Sequence, residues 1–343
     1  MNQTTKKATK QSIKQTTSKQ IFQEQYFGEM QCSQQGLMHC EKSFPLLGGK
    51  VSLVIYDIDE IMLGGIFEDI FIEGLRLQKI FNFYDENSEL SRLNALRKMA
   101  VSSELLEVLH RAFAYAEITD GKYDVSMGKN ILRRKKGLEL AELGCTYKDI
   151  IIRGNVVELA HPDVLIDLGS IAKGYIADKM IEYMKILGLE SAFIDARGEM
   201  RIYGHGIETV TVQHPRCKEK HMHNILFENM SIATSGDYKQ YYDSYDNCHI
   251  IGSRDVISVT VVADSLMDAD AAATCLFVIG FENIAKFMNQ NKNLKAFVID
   301  KSLKEYFYNG FETLLIKGER VVNIENIVNI EDKKGDGLNG NKN

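Results

Sequence analysis

Tryptophan is absent from the 343 residues and proline occurs only three times; neither scarcity selects a function. Other absences exclude more. The formal net charge is −6 at pH 7 and no Lys/Arg run is long, which argues against a general nucleic-acid binder. No stretch approaches the roughly 18 consecutive apolar residues that a membrane-spanning helix needs. The six cysteines (Cys32, Cys40, Cys145, Cys217, Cys248, Cys275) contain no C-x-x-C pair. They read as reduced thiols, neither a zinc site nor a disulfide framework. The opening MNQTTKKATKQSIKQTTSKQ is charged but lacks the apolar core of a secretory signal. The expectation from these features is a cytoplasmic protein with no transmembrane segment and no nucleic-acid partner.

Two nucleotide fingerprints are missing as well. Gly169 and Gly174 have the separation of a P-loop's glycines, but Lys173 precedes the second glycine, and Tyr175 and Ile176 follow it. Neither that segment nor Gly204-His205-Gly206 supplies the G-x-G-x-x-G of a dinucleotide fold.

What is present is an ordinary globular composition, 45% hydrophobic and 26% charged. Residues 1–39 and 328–343 are expected to be largely disordered tails around one domain, 40–327, with no internal repeat and no linker. Lys50 to Asp57 is strand-like, and Ile61 to Phe83 and Ser103 to Thr119 carry apolar residues at helical spacing. Ile150 to Leu159 reads as a hairpin around Gly154-Asn155. Val164 to Asp178 reads as a strand, a glycine-flanked turn and a helix running to about Leu187. Ala192 to Arg201, Thr209 to Gln213, Ile257 to Ala263, Lys295 to Asp300 and Leu314 to Ile316 are strand candidates, and Ser265 is an N-cap for a helix to Val278. The pattern predicts an α+β fold: a single compact domain with a mixed or antiparallel sheet and flanking helices.

Five segments have chemical potential. The turn at 169–174 can direct backbone N–H groups and Lys173 at a phosphate, because a helix N-terminus carries unpaired donors and partial positive charge. Asp270 and Thr274, four residues apart, share a helix face and offer hard oxygen ligands suited to Mg²⁺. In isolation such a pair more often serves the helix dipole and a back-bond to a carbonyl. Thr119-Asp120-Gly121, continuing through Lys122, Tyr123 and Asp124, forms a turn after a helix. Ser231 to Tyr238 is a polar cluster able to cap a helix or bind a ligand. His249 lies in the short apolar run Cys-His-Ile-Ile.

In order, SELSRLN, TDGKYDVSMG, DLGSIAKGYIAD, SIATSGDY, HII and SVTVVADSLMDADAAAT resemble the ApbE family of FAD:protein FMN transferases, from about Phe44 to Ile316. The resemblance implies a T-fold-related domain that splits FAD with Mg²⁺, or Mn²⁺ in its place. FMN would be attached by a phosphoester to a Ser or Thr of a target protein, and AMP released. Hydrolysis of FAD to FMN and AMP, and flavin binding without catalysis, are the alternatives. The resemblance further implies Asp270, Thr274 and the backbone carbonyl at Ser170 as metal ligands. Asp167, Lys173, Lys122, Tyr123, Asp124 and Asn94 would contact FAD, and His249 and Asp270 would be catalytic, with His249 also touching the ligand. Three departures stand out. The loop after His249 is shortened through Gly252-Ser253-Arg254-Asp255, Ala196-Arg197-Gly198-Glu199 replaces an Ala-Gly-Gly-Asp stretch, and the family's usual export signal is missing.

Overall fold

The computed structural model describes residues 31–33, 39–57, 60–252 and 255–316. Most of both expected tails, and Ser253 and Arg254 of the shortened loop, lie outside the described residues. Strands β1 (Gln31–Ser33), β2 (His39–Leu46) and β3 (Gly49–Tyr56) come first, followed by helix α1 (Glu60–Phe81). Then come α2 (Glu89–Leu96), β4 (Lys98–Ala100), α3 (Ser103–Ile118) and α4 (Gly128–Lys135). The hairpin β5 (Ile150–Arg153) and β6 (Val156–Leu159) precedes α5 (Ala172–Ile186), β7 (Ala192–Asp195) and β8 (Met200–Tyr203). A second hairpin, β9 (Glu208–Gln213) and β10 (His221–Phe227), leads to β11 (Ser231–Gly236). The short strands β12 (Tyr241–Tyr242) and β13 (Ser244–Cys248) precede β14 (Val256–Ala263). The chain closes with α6 (Leu266–Val278), α7 (Phe281–Gln290), β15 (Lys295–Asp300) and β16 (Glu305–Tyr308).

Nine strands form the main sheet in the order β1-β2-β3-β7-β8-β11-β14-β15-β16, and every ladder pairing in it is antiparallel. Side chains alternate faces along a strand, so each face needs its own cover. Ala296 and Val298 of β15 join the large cluster beneath the helices, whereas Phe297 and Ile299 join a second cluster with Val210, Ile225 and Phe227 of the β9–β10 hairpin. β14 is buried along all its length because both faces are covered, so its β-branched residues lie on both faces with Ser258 and Thr260 buried among them. Ser265 caps α6 as expected, its hydroxyl accepting from the Asp268 amide at 3.1 Å.

Several expectations are corrected. Val164 to Leu168 is extended but joins no sheet; its amides and carbonyls pair with the loop before α4, as in Asp167 N to Val125 O at 2.9 Å and Gly128 N to Leu165 O at 2.8 Å. Ala192 to Arg201 is two strands around a tight turn at 196–199. Ser231 to Gly236 caps no helix, because it is β11 at the centre of the sheet. The sheet closes on β16 rather than on Leu314 to Ile316, where a 3₁₀ turn ends and Leu315 bridges to Ile225.

The set of six reduced thiols is also overturned. Cys32 and Cys40 face each other across β1 and β2 and form a disulfide, leaving Cys145, Cys217, Cys248 and Cys275 free. Protein purified without reductant and unfolded should therefore show four reactive thiols by titration; six would reject the bridge. No helix among the described residues is long and apolar enough to cross a membrane.

Candidate functional site

A cleft of about 1120 Å³ opens where the 121–128 loop, the 167–174 turn, the 196–199 turn, α6 and the segment 238–251 converge. The turn is positioned from behind by Asn94 on α2. Its amide donates to Ile166 O and its carbonyl accepts from Ile166 N, both at 2.8 Å. Asn94 thus clamps the Ile166 backbone and stands outside the cleft lining. Asp167 faces the cleft and accepts from the Gly169 amide at 2.7 Å, and burial raises its carboxyl pKa.

Fewer turn amides are free than the sequence suggests. Those of Ile171 and Ala172 bond to Leu168 O, and that of Gly174 donates to Asp270 Oδ2 at 3.2 Å. This last contact requires glycine: a Cβ at residue 174 would lie 2.3 Å from Leu266 O, so only a bare backbone lets α5 approach the start of α6. Asp178, one turn further along α5, accepts from the Leu266 and Met267 amides at 3.0 and 2.9 Å and pairs with Arg201. A buried carboxylate thereby satisfies the orphan donors of α6 and fixes the helix that carries Asp270.

Asp270 and Thr274 share one face of α6 and line the cleft with Ser170. Thr274 makes the back-bond to Asp270 O at 3.4 Å and also meets Ser235 Oγ at 3.2 Å. Lys173 Nζ lies between two carboxylates, 2.5 Å from Glu199 Oε1 and 3.2 Å from Asp270 Oδ1. Desolvation pulls its pKa down, but Asp270 and Glu199 outweigh it and hold it protonated. Glu199 is buried and its second oxygen, Oε2, has no hydrogen-bond partner. Burial drives its pKa well above the usual carboxylate range, against the pull of Lys173. Sequence reasoning missed Glu199; its signal was the acid ending the Ala-Arg-Gly-Glu turn.

The loop residues face the cleft but are partly engaged elsewhere. Lys122 donates to Ile279 O at 2.7 Å, complementing the C-terminal end of α6. Asp124 accepts from the Ser126 and Tyr147 amides at 2.8 and 3.0 Å. Burial raises the pKa of the Tyr123 phenol, whose oxygen is 2.9 Å from Ser170 Oγ. On the opposite side His249 Nδ1 lies 3.1 Å from Gln240 O. A carbonyl only accepts, so Nδ1 carries the hydrogen and Nε2 keeps its lone pair. Burial lowers the His249 pKa below its ordinary 6.5, with Lys135 and Lys173 acting in the same direction.

The donor set suits a hard cation. One carboxylate, one hydroxyl and a turn carbonyl leave positions for water and phosphate oxygens, as Mg²⁺ prefers. Among the described residues no group of three or more His, Cys, Asp or Glu side chains could hold a metal.

Comparison with known proteins places the chain among flavin transferases by sequence and fold similarity. The FAD:protein FMN transferase of Vibrio cholerae is 29% identical over 267 residues, covering 68% of this chain and 80% of that protein. The one from Escherichia coli K12 is 26% identical over 275 residues, covering 69% and 78%. The fold is that of the ApbE crystal structure from Thermotoga maritima, with TM-score 0.71 at 24% identity over 85% of this chain and 100% of that one. The Vibrio cholerae flavin transferase ApbE superposes with TM-score 0.69 at 24% identity over 83% and 100%. Residues 47–298 match the model of the ApbE family, and this chain belongs to that family.

Proposed function

We propose that this chain is an FAD:protein FMN transferase, which cleaves FAD and joins FMN through a phosphoester to a Ser or Thr of a target protein. The observation that carries this reading is the meeting, in one cleft, of Asp270 and Thr274 with Lys173 and the neutral His249. Family membership and the names of its relatives support it.

Phosphoryl transfer depends on position and charge neutralisation more than on covalent catalysis. Mg²⁺ held by Asp270, Thr274 and the Ser170 carbonyl would polarise the attacked phosphorus and offset charge on the leaving group. Lys173 supplies a positive charge beside that position. His249 Nε2 takes the proton from the acceptor hydroxyl as its oxygen bonds to the FMN phosphorus. The bond from that phosphorus to the bridging oxygen breaks, and AMP departs with the oxygen.

Incubation with FAD, Mg²⁺ and a candidate acceptor protein, followed by mass spectrometry, tests the assignment. AMP with FMN covalently on the acceptor supports it; AMP with free FMN, acceptor present, identifies a hydrolase, and intact FAD rejects both. Because His249 acts as a base only when neutral, transfer should be level through pH 7 and fall as pH drops through a pKa below 6.5. His249→Ala should remove that limb and slow transfer by about 10²–10⁴-fold. An unchanged pH profile in the variant would reassign the base.

A further inference from the structure

Lys173 and Glu199 form a buried charge group that the metal ligands alone do not account for. One ammonium faces two carboxylates, at 2.5 Å from Glu199 and 3.2 Å from Asp270. Asp270 Oδ1 accepts from Lys173 and Oδ2 from the Gly174 amide, so the carboxylate expected to hold the cation is already engaged by protein donors. Glu199 instead has one oxygen on Lys173 and the other, Oε2, buried without a partner. Its position is fixed by the β7–β8 turn, where the Ala196 amide donates to Glu199 O at 2.7 Å.

We propose that Glu199 is a positioning residue for a cation exchange at Asp270: Lys173 occupies the carboxylate while no metal is bound, and Glu199 holds the ammonium when a divalent cation takes its place. The inference rests on the proposed function for the identity of the cation site. Its physical basis is repulsion between like charges in a poorly solvated cleft, which would expel either the metal or Lys173 unless a second carboxylate offsets it. The free lone pairs of Oε2 let Glu199 keep the ammonium as Lys173 turns from Asp270 toward the phosphates. Glu199 then does for Lys173 what outer-shell partners do for metal ligands: it sets where the charge rests.

The test is titration of Mn²⁺ into the purified full-length chain, followed by calorimetry or electron paramagnetic resonance, without FAD and therefore without turnover. Glu199→Gln leaves Lys173 with Asp270 as its one anion and should weaken Mn²⁺ binding about 10–100-fold. Lys173→Met should tighten it. The double variant Glu199→Gln/Lys173→Met, in which the competitor and its partner are both gone, should return to within a few-fold of the parent. Thermal unfolding of each variant, beside the titration, shows whether Glu199→Gln keeps its fold. Parent-like affinity in Glu199→Gln would overturn the exchange. So would a double variant as weak as Glu199→Gln, which would make Glu199 a direct ligand, and so would a parent chain that takes up no Mn²⁺. AMP release from FAD by the parent chain is scored separately, so failure of the transferase reading is distinguished from failure of the exchange.

Discussion

Asp270→Ala should abolish metal-dependent release of AMP from FAD, a loss of at least 10²–10³-fold. The expectation follows from removing the single carboxylate of the donor set, which leaves Thr274 and the Ser170 carbonyl with no anionic partner for the cation. The fold should survive. Lys173 keeps Glu199 at 2.5 Å, so no buried charge is stranded, and the main local loss is the acceptor for the Gly174 amide. An unsatisfied donor of that kind costs about 1–3 kcal/mol. Chromatographic AMP assay beside thermal unfolding checks both parts, and parent-like turnover would remove the metal assignment.

Asp178→Ala should have the larger effect on stability. This carboxylate is buried, accepts the first two amides of α6 and pairs with Arg201. Its removal strands a largely buried guanidinium and two helix donors together, for which a cost of about 3–5 kcal/mol is typical. Thermal unfolding should register a fall of roughly 10 °C. Asp178→Asn keeps the shape but not the charge and should fall between the two. A parent-like melting temperature for Asp178→Ala would show that α6 does not depend on this anchor. Since α6 carries Asp270 and Thr274, the alanine variant should also lose Mn²⁺ affinity although every proposed ligand is still present in its sequence.

The chemistry-bearing segments were legible because side-chain type and short spacing carry it. Asp270 and Thr274 fall on one helix face by periodicity alone, and Ser265 announces the start of that helix. The bonds of Asn94 are not legible in sequence for an equally physical reason. Its segment is close to the site in sequence logic, but only the folded chain shows its amide turned to the Ile166 backbone. Val164 to Leu168 looked like a strand because apolar extended residues look alike whether they pair in a sheet or run against a loop. Lys122 and Asp124 face the cleft, yet their principal bonds go to Ile279 O and to two amides, a distinction invisible without the partners.

By itself the sequence determined the α+β class and most of the long helices and strands, because these rest on periodicity and capping within one segment; its ordered motifs carried the family resemblance, and spacing alone put Asp270 and Thr274 on one helix face. Tertiary structure alone decided the strand order, the Cys32–Cys40 bridge, Asp178 as the anchor of α6, and the Glu199–Lys173–Asp270 group. Each of these joins side chains or strands through the folded chain rather than through a local sequence pattern. Lys173 and Asp270 are 97 residues apart, and no local propensity encodes which carboxylate a lysine will meet across that distance.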